Sequence, residues 1–97
     1  VFERPMPALP AARFHKLAAR VGLCVHRRSQ LLHDRRRLYI NGEALIATAA
    51  EGRVLRKLAD RRKLGAADYA QAPAAVRELL YDWYTDGWII PAPPQTE

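Results

Sequence analysis

Three histidines, His15, His26 and His33, are the side chains of this sequence best suited to hold a metal, and their spacing does not favour it. A non-haem iron site needs two histidines and a carboxylate converging on one ion, normally with two ligands one residue apart on a strand, and a zinc site needs four donors. His33 and Asp34 are adjacent, so on a strand they point to opposite faces. Nucleophilic chemistry has no better start. Ser29 stands in a basic stretch without a glycine-flanked elbow, and Gly22, Gly42, Gly52, Gly65 and Gly87 stand alone rather than in a phosphate-cradling loop. Cys24 is the single cysteine, so it forms no internal disulfide, and with no histidine or acid beside it reads as a small buried side chain. Glu78, Asp82 and Asp86 recur every four residues, on one side of a helix. Without a cleft-forming partner they read as a solvated or partner-facing stripe, not a general acid/base pair. The expectation is a chain with no catalytic, cofactor-binding or metal-binding residue of its own.

What remains is charge. Arg53, Arg56, Lys57, Arg61 and Arg62, together with Arg35, Arg36 and Arg37, form the candidate interaction face, with Arg27 and Arg28 close by in sequence. The net charge is +6, unevenly spread. Residues 13–63 carry fourteen lysines and arginines against four acids, whereas residues 64–97 carry one against five. Such asymmetry steers polyanions to one face, or lets the basic part meet an acidic neighbouring surface. Phosphate contacts need only cations at backbone spacing, so nucleic acid is a candidate partner. The basic helix offers no Asn, Gln or Ser to read base edges, and the acidic helix would repel a duplex lying on the same side. The plain alternative is a solvated or interdomain basic face.

The elements that must position this face are legible. Asn41-Gly42 supplies two consecutive residues tolerant of positive φ between short apolar runs, which predicts a two-residue hairpin turn. Leu38 and Ile40 then share one face and Tyr39 the other. Thr48 and Glu51 form a capping box that opens a helix from Ala49 to about Lys63, with Val54, Leu55, Leu58 and Ala59 as its apolar stripe and Leu64-Gly65 as its stop. A first helix runs from Pro10 to Gly22 on Leu9, Phe14, Leu17, Ala18 and Val21. Leu23-Cys24-Val25 reads as a short strand, and Asp68 and Tyr69 sit in a linking piece of about one helical turn. The last helix begins near Pro73, carries Val76, Leu79, Leu80, Trp83 and Tyr84 at helical spacing on one apolar face, and ends at Gly87. Trp88-Ile89-Ile90 leaves it as a short strand, where Pro91 marks a sheet edge open to an extended peptide.

Ninety-seven residues make one domain with one modest core. The sequence predicts an α+β, winged-helix-like small domain with a short β-hairpin and three helices. Residues 1–28 are a proline-rich lead and first helix, 29–90 the domain proper and 91–97 a proline-rich tail, a composition suited to a piece of a longer protein. No signal peptide or membrane-spanning run is present, so the expected setting is cytoplasmic, with no membrane partner.

Leu38-Tyr39-Ile40-Asn41-Gly42-Glu43, Leu55-Arg56-Lys57-Leu58-Ala59-Asp60-Arg61-Arg62 and Leu79-Leu80-Tyr81-Asp82-Trp83-Tyr84-Thr85-Asp86-Gly87-Trp88 together resemble the C-terminal region of bacterial JmjC-type cupin proteins, the ribosomal-oxygenase-like arginine hydroxylases. The likeness covers about residues 29–90 and its motifs are structural: a turn, a helix face and a closing aromatic pair. It implies an N-terminal double-stranded β-helix holding iron(II) and 2-oxoglutarate, a helical dimerisation segment and a closing winged-helix domain. This chain would then be that last domain, with residues 1–28 including the end of the dimerisation segment. The iron-binding His-x-Asp is absent, so hydroxylation belongs to the parent. The resemblance implies a non-catalytic accessory domain supporting assembly or substrate docking. Its partners would be the rest of the parent chain or its dimer mate, a ribosomal protein or ribosomal RNA. The competing reading is a stand-alone winged-helix nucleic-acid binder using its basic face.

Overall fold

The computed structural model describes residues 7–34, 37–45 and 48–92. Their order is α1 (Ala11–Val21), β1 (Leu23–Val25), β2 (Leu31–His33), β3 (Leu38–Ile40), β4 (Glu43–Leu45), α2 (Ala49–Arg61), β5 (Lys63–Leu64), α3 (Ala66–Gln71), α4 (Ala74–Thr85) and β6 (Ile89–Pro91). The strands form two three-stranded antiparallel sheets, β5-β1-β6 and β2-β3-β4. This is the α+β arrangement the sequence predicts, with one addition. The linking piece around Tyr69 is the six-residue helix α3, so the described residues hold four helices rather than three.

Local chemistry explains each boundary. Asn41 and Gly42 take φ of 47° and 87°, the paired positive values of a hairpin turn, and Asn41 Oδ1 also accepts from Gln30 N at 2.9 Å. At the start of α2, Thr48 Oγ1 accepts from Glu51 N at 3.2 Å and Glu51 Oε1 accepts from Thr48 N at 3.0 Å. Both halves of the capping box are made. The end of α2 differs from expectation. The helix stops at Arg61 because Arg62 turns left-handed, with φ of 57°, and its carbonyl accepts from Val25 N at 2.9 Å. Lys63 and Leu64 are thereby drawn into a ladder with Cys24 and Leu23. Strand pairing overrides the helical pattern, and Gly65 caps the start of α3 instead of the end of α2.

The core lies between the four helices and the inner faces of both sheets. Phe14, Ala18, Leu23, Leu58 and Leu80 are wholly buried, and Leu55, Val76 and Tyr69 are at most 1% exposed. Phe14 stacks on Tyr84 at 4.6 Å and meets Tyr69 edge-on at 6.3 Å, so α1 is held from both sides by aromatics. Leu9 is clamped to α4 from two directions: its amide donates to Tyr84 Oη at 3.0 Å and its carbonyl accepts from Tyr81 Oη at 2.9 Å. Gly22 joins α1 to β1 with φ of 82°, and a Cβ there would lie 2.4 Å from the Leu64 carbonyl oxygen. Only glycine fits.

Candidate interaction surface

Helix α2 presents its cations because its apolar positions are committed elsewhere. Gly52, Leu55 and Leu58 are buried, which leaves Arg53 and Arg61 exposed and Arg56 and Lys57 half-buried on the remaining arc. Arg53, Arg56, Lys57 and Arg61 line one concavity together with Asp60. Asp60 is engaged, since its Oδ1 lies 2.7 Å from His33 Nε2 on β2. Lys57 Nζ donates to Asp68 Oδ1 on α3 at 3.2 Å, with both side chains 40% exposed. Lys57 is therefore half-buried and paired rather than free on the face.

A second groove, about 570 Å³, adjoins the first across the ridge of Lys57 and Arg61. Its other cations are Arg20 from the last turn of α1 and Lys63 from β5, and Asp68 is its one acid among the described residues. Cys24 also lines this groove, half-buried on the outer side of β1 rather than inside the core. Sequence reasoning missed Arg20 and Lys63. The signal was the strand at Lys63-Leu64, which places that lysine beside β1 and the end of α1.

The remaining candidates part company with this group. The Arg62 guanidinium donates from Nη2 to the carbonyl oxygens of His26 and Ser29, both at 2.9 Å, and so braces the β1–β2 turn. Ser29, 2% exposed, completes that brace by donating its hydroxyl to the Trp88 carbonyl at 3.0 Å. Arg37 lies exposed in the β2–β3 connection, where its amide donates to Asp34 Oδ1 at 2.8 Å. Arg27 and Arg28 are exposed in the β1–β2 turn. Arg35 and Arg36 lie outside the described residues.

The histidines stand on three different elements, and none begins a His-x-Asp or His-x-Glu sequence. His15 on α1 stacks on Tyr69 at a ring separation of 6.1 Å and hydrogen-bonds its hydroxyl through Nδ1. Burial pushes the Tyr69 phenol up to about 12, against a smaller opposite pull from Arg77. His26 Nδ1 accepts from Arg28 N at 3.2 Å, and His33 faces Asp60. Glu78 and Asp82 are exposed on α4 and Asp86 is half-buried, and none of the three lines either basic groove.

A family described as ROXA-like winged helix matches residues 4–89. The chain belongs to this family. Two solved structures share its fold. The X-ray structure of Escherichia coli ycfD aligns over 93% of this chain and 24% of its own, with a TM-score of 0.73 and 17% identity. The crystal structure of Escherichia coli ribosomal oxygenase YcfD aligns over 91% of this chain and 25% of its own, with a TM-score of 0.71 and 20% identity. This chain therefore spans about a quarter of the length of those proteins. At such identities the likeness speaks for the fold alone. No curated protein matches the sequence. No helix among the described residues is long and apolar enough to cross a membrane.

Proposed function

We propose that this chain is the non-catalytic winged-helix accessory domain of a larger, cytoplasmic ribosomal-oxygenase-like protein of the JmjC cupin class, where it supports assembly or substrate docking. The observation that carries this reading is one of proportion. A winged-helix family accounts for residues 4–89, while the structures that share the fold are about four times longer, so about three quarters of their length lies outside the part they share with this chain; a ribosomal oxygenase is among them.

 The chemistry of such a protein then belongs to the part of it beyond this domain.

The donor set supports the same division. Iron(II) and 2-oxoglutarate would require histidine and carboxylate ligands converging on one point, and His15, His26 and His33 are spread over α1, the β1–β2 turn and β2 with no His-x-Asp among them. These residues do not fit that centre, and no step of a hydroxylation is assigned to them. What the domain offers is a rigid body held by Trp83, Tyr84 and Phe14, with a charged helix mounted on it.

The test compares the full-length parent with a form lacking this domain. The truncated form is expected to keep 2-oxoglutarate turnover without protein substrate and to lose affinity for that substrate or its oligomeric state. Turnover of 2-oxoglutarate by the 97-residue chain alone contradicts the reading, as does a truncated parent with unchanged assembly and unchanged substrate affinity.

A further inference from the structure

We infer that the paired basic grooves beside α2 bind the phosphate backbone of a single strand of RNA. This deepens the docking role proposed above and rests on it for the source of the strand. The surface itself is built from two helices and a strand. Arg53, Lys57 and Arg61 recur every four residues on α2, about 6 Å apart along the helix axis, a row on the scale of successive phosphates along one strand. Arg20 and Lys63 widen that row on the far side of the Lys57–Arg61 ridge. Among the described residues the two grooves together hold six cations against two acids, Asp60, which faces His33, and Asp68, which pairs with Lys57, one of the six.

Three features bear on which polyanion the surface fits. The groove between Arg20 on α1, Lys57 and Arg61 on α2 and Lys63 on β5 is bordered by cations from three elements, so it suits a thin backbone more than the wide face of a duplex. The helix pair that a helix-turn-helix reader would use is α3 and α4, joined through Ala72-Pro73, and the second of these carries Glu78 and Asp82, with Asp86 at its C-terminal cap. That helix would be repelled by a DNA major groove. Among the described residues neither groove is lined by an aromatic ring, an Asn or a Gln, so recognition is of phosphate and sugar and not of bases. Asp60 and Asp68 are unfavourable towards phosphate but accept hydrogen bonds from ribose 2′-hydroxyls, which DNA lacks.

The experiment titrates the 97-residue chain into a labelled twelve-nucleotide oligouridylate at 50 to 200 mM salt, read by fluorescence anisotropy. Four phosphate contacts predict about a 50-fold loss of affinity over that range. Replacing Arg53→Gln and Arg61→Gln together is expected to weaken binding and lower the salt slope by about 1.4. The same charge removed by Arg13→Gln and Lys16→Gln, which line neither groove, is expected to change affinity less than threefold. Equal losses from both double variants overturn the inference, because net charge alone would then explain the binding. So does oligothymidylate binding as tightly as oligouridylate. Polyglutamate of equal charge competing as well as RNA would identify an acidic protein as the partner and overturn it too. No binding at 50 mM salt ends the inference while leaving the accessory role, which is read from the parent's turnover and assembly, untouched.

Discussion

Helices α2 and α4 are nearly equal in length, 13 and 12 residues, yet they divide the work of the molecule between them. Helix α4 buries Val76, Leu80, Trp83 and Tyr84, and Tyr81 reaches back to hold Leu9. Its acids are left at the surface. Helix α2 buries only Leu55 and Leu58 as large side chains, and carries Arg53, Arg56, Lys57 and Arg61 on its outer arc. The lesson is that anchoring and presentation are separable. A helix fixed by large aromatics contributes stability, and a helix fixed by a narrow stripe and a good cap can carry charge without endangering the core.

The comparison breaks first at Trp83, which is 3% exposed. Trp83→Ala is expected to cost about 3–5 kcal/mol in urea unfolding, and equal midpoints for variant and wild type would refute the anchoring role. Gly22 comes next, because it fixes α1 against β5 and so sets Arg20 beside Lys63. Gly22→Ala forces a Cβ to 2.4 Å from the Leu64 oxygen at a φ of +82° and should cost more than about 2 kcal/mol. Gly42→Ala shares the positive φ but meets nothing within 4 Å, so about 1 kcal/mol is expected. Similar losses at the two glycines would show that backbone strain, and not the close approach, dominates at Gly22.

Alkaline pH sharpens the same contrast. Tyr69 titrates at about 12 in the folded chain against 10.0 for an ordinary phenol, because burial disfavours its anion. Between those values the unfolded chain has released a proton that the folded chain keeps. Stability present below pH 10 is therefore lost as pH rises towards 12. Urea unfolding at pH 9 and pH 11.5 should show a smaller drop for Tyr69→Phe than for wild type, and an identical drop would contradict the assignment. The smallest effect is expected on α2. Lys57→Ala removes an ion pair whose partners are each 40% exposed, and should stay within about 0.5 kcal/mol by thermal melting.

Much of this was legible in the sequence, and the misses share one cause. Asn41-Gly42, the Thr48–Glu51 capping box and the face of α4 are local signals, set by residues within a turn of one another, and the structure has them where the spacing predicts. The end of α2 is not local. Arg62 turns left-handed because Val25, 37 positions earlier, takes its carbonyl, and no periodicity within the helix contains that partner. The same event drew Lys63 into a strand and hence into the second groove, and removed Arg62 from the interaction face by turning its guanidinium onto the His26 and Ser29 carbonyls. The Lys57–Asp68 pair was hidden for a related reason, since α3 was legible only as a connecting turn. Charge was readable as composition; its neighbours in space were not.

The most direct measurement of whether α2 presents and α4 anchors is an amide chemical-shift titration of the chain with oligouridylate. The account predicts shifts at Arg20, along Arg53 to Arg61 and at Lys63, with Glu78, Asp82 and Asp86 unmoved. Shifts centred on α4, or spread evenly over every exposed arginine and lysine, would contradict it.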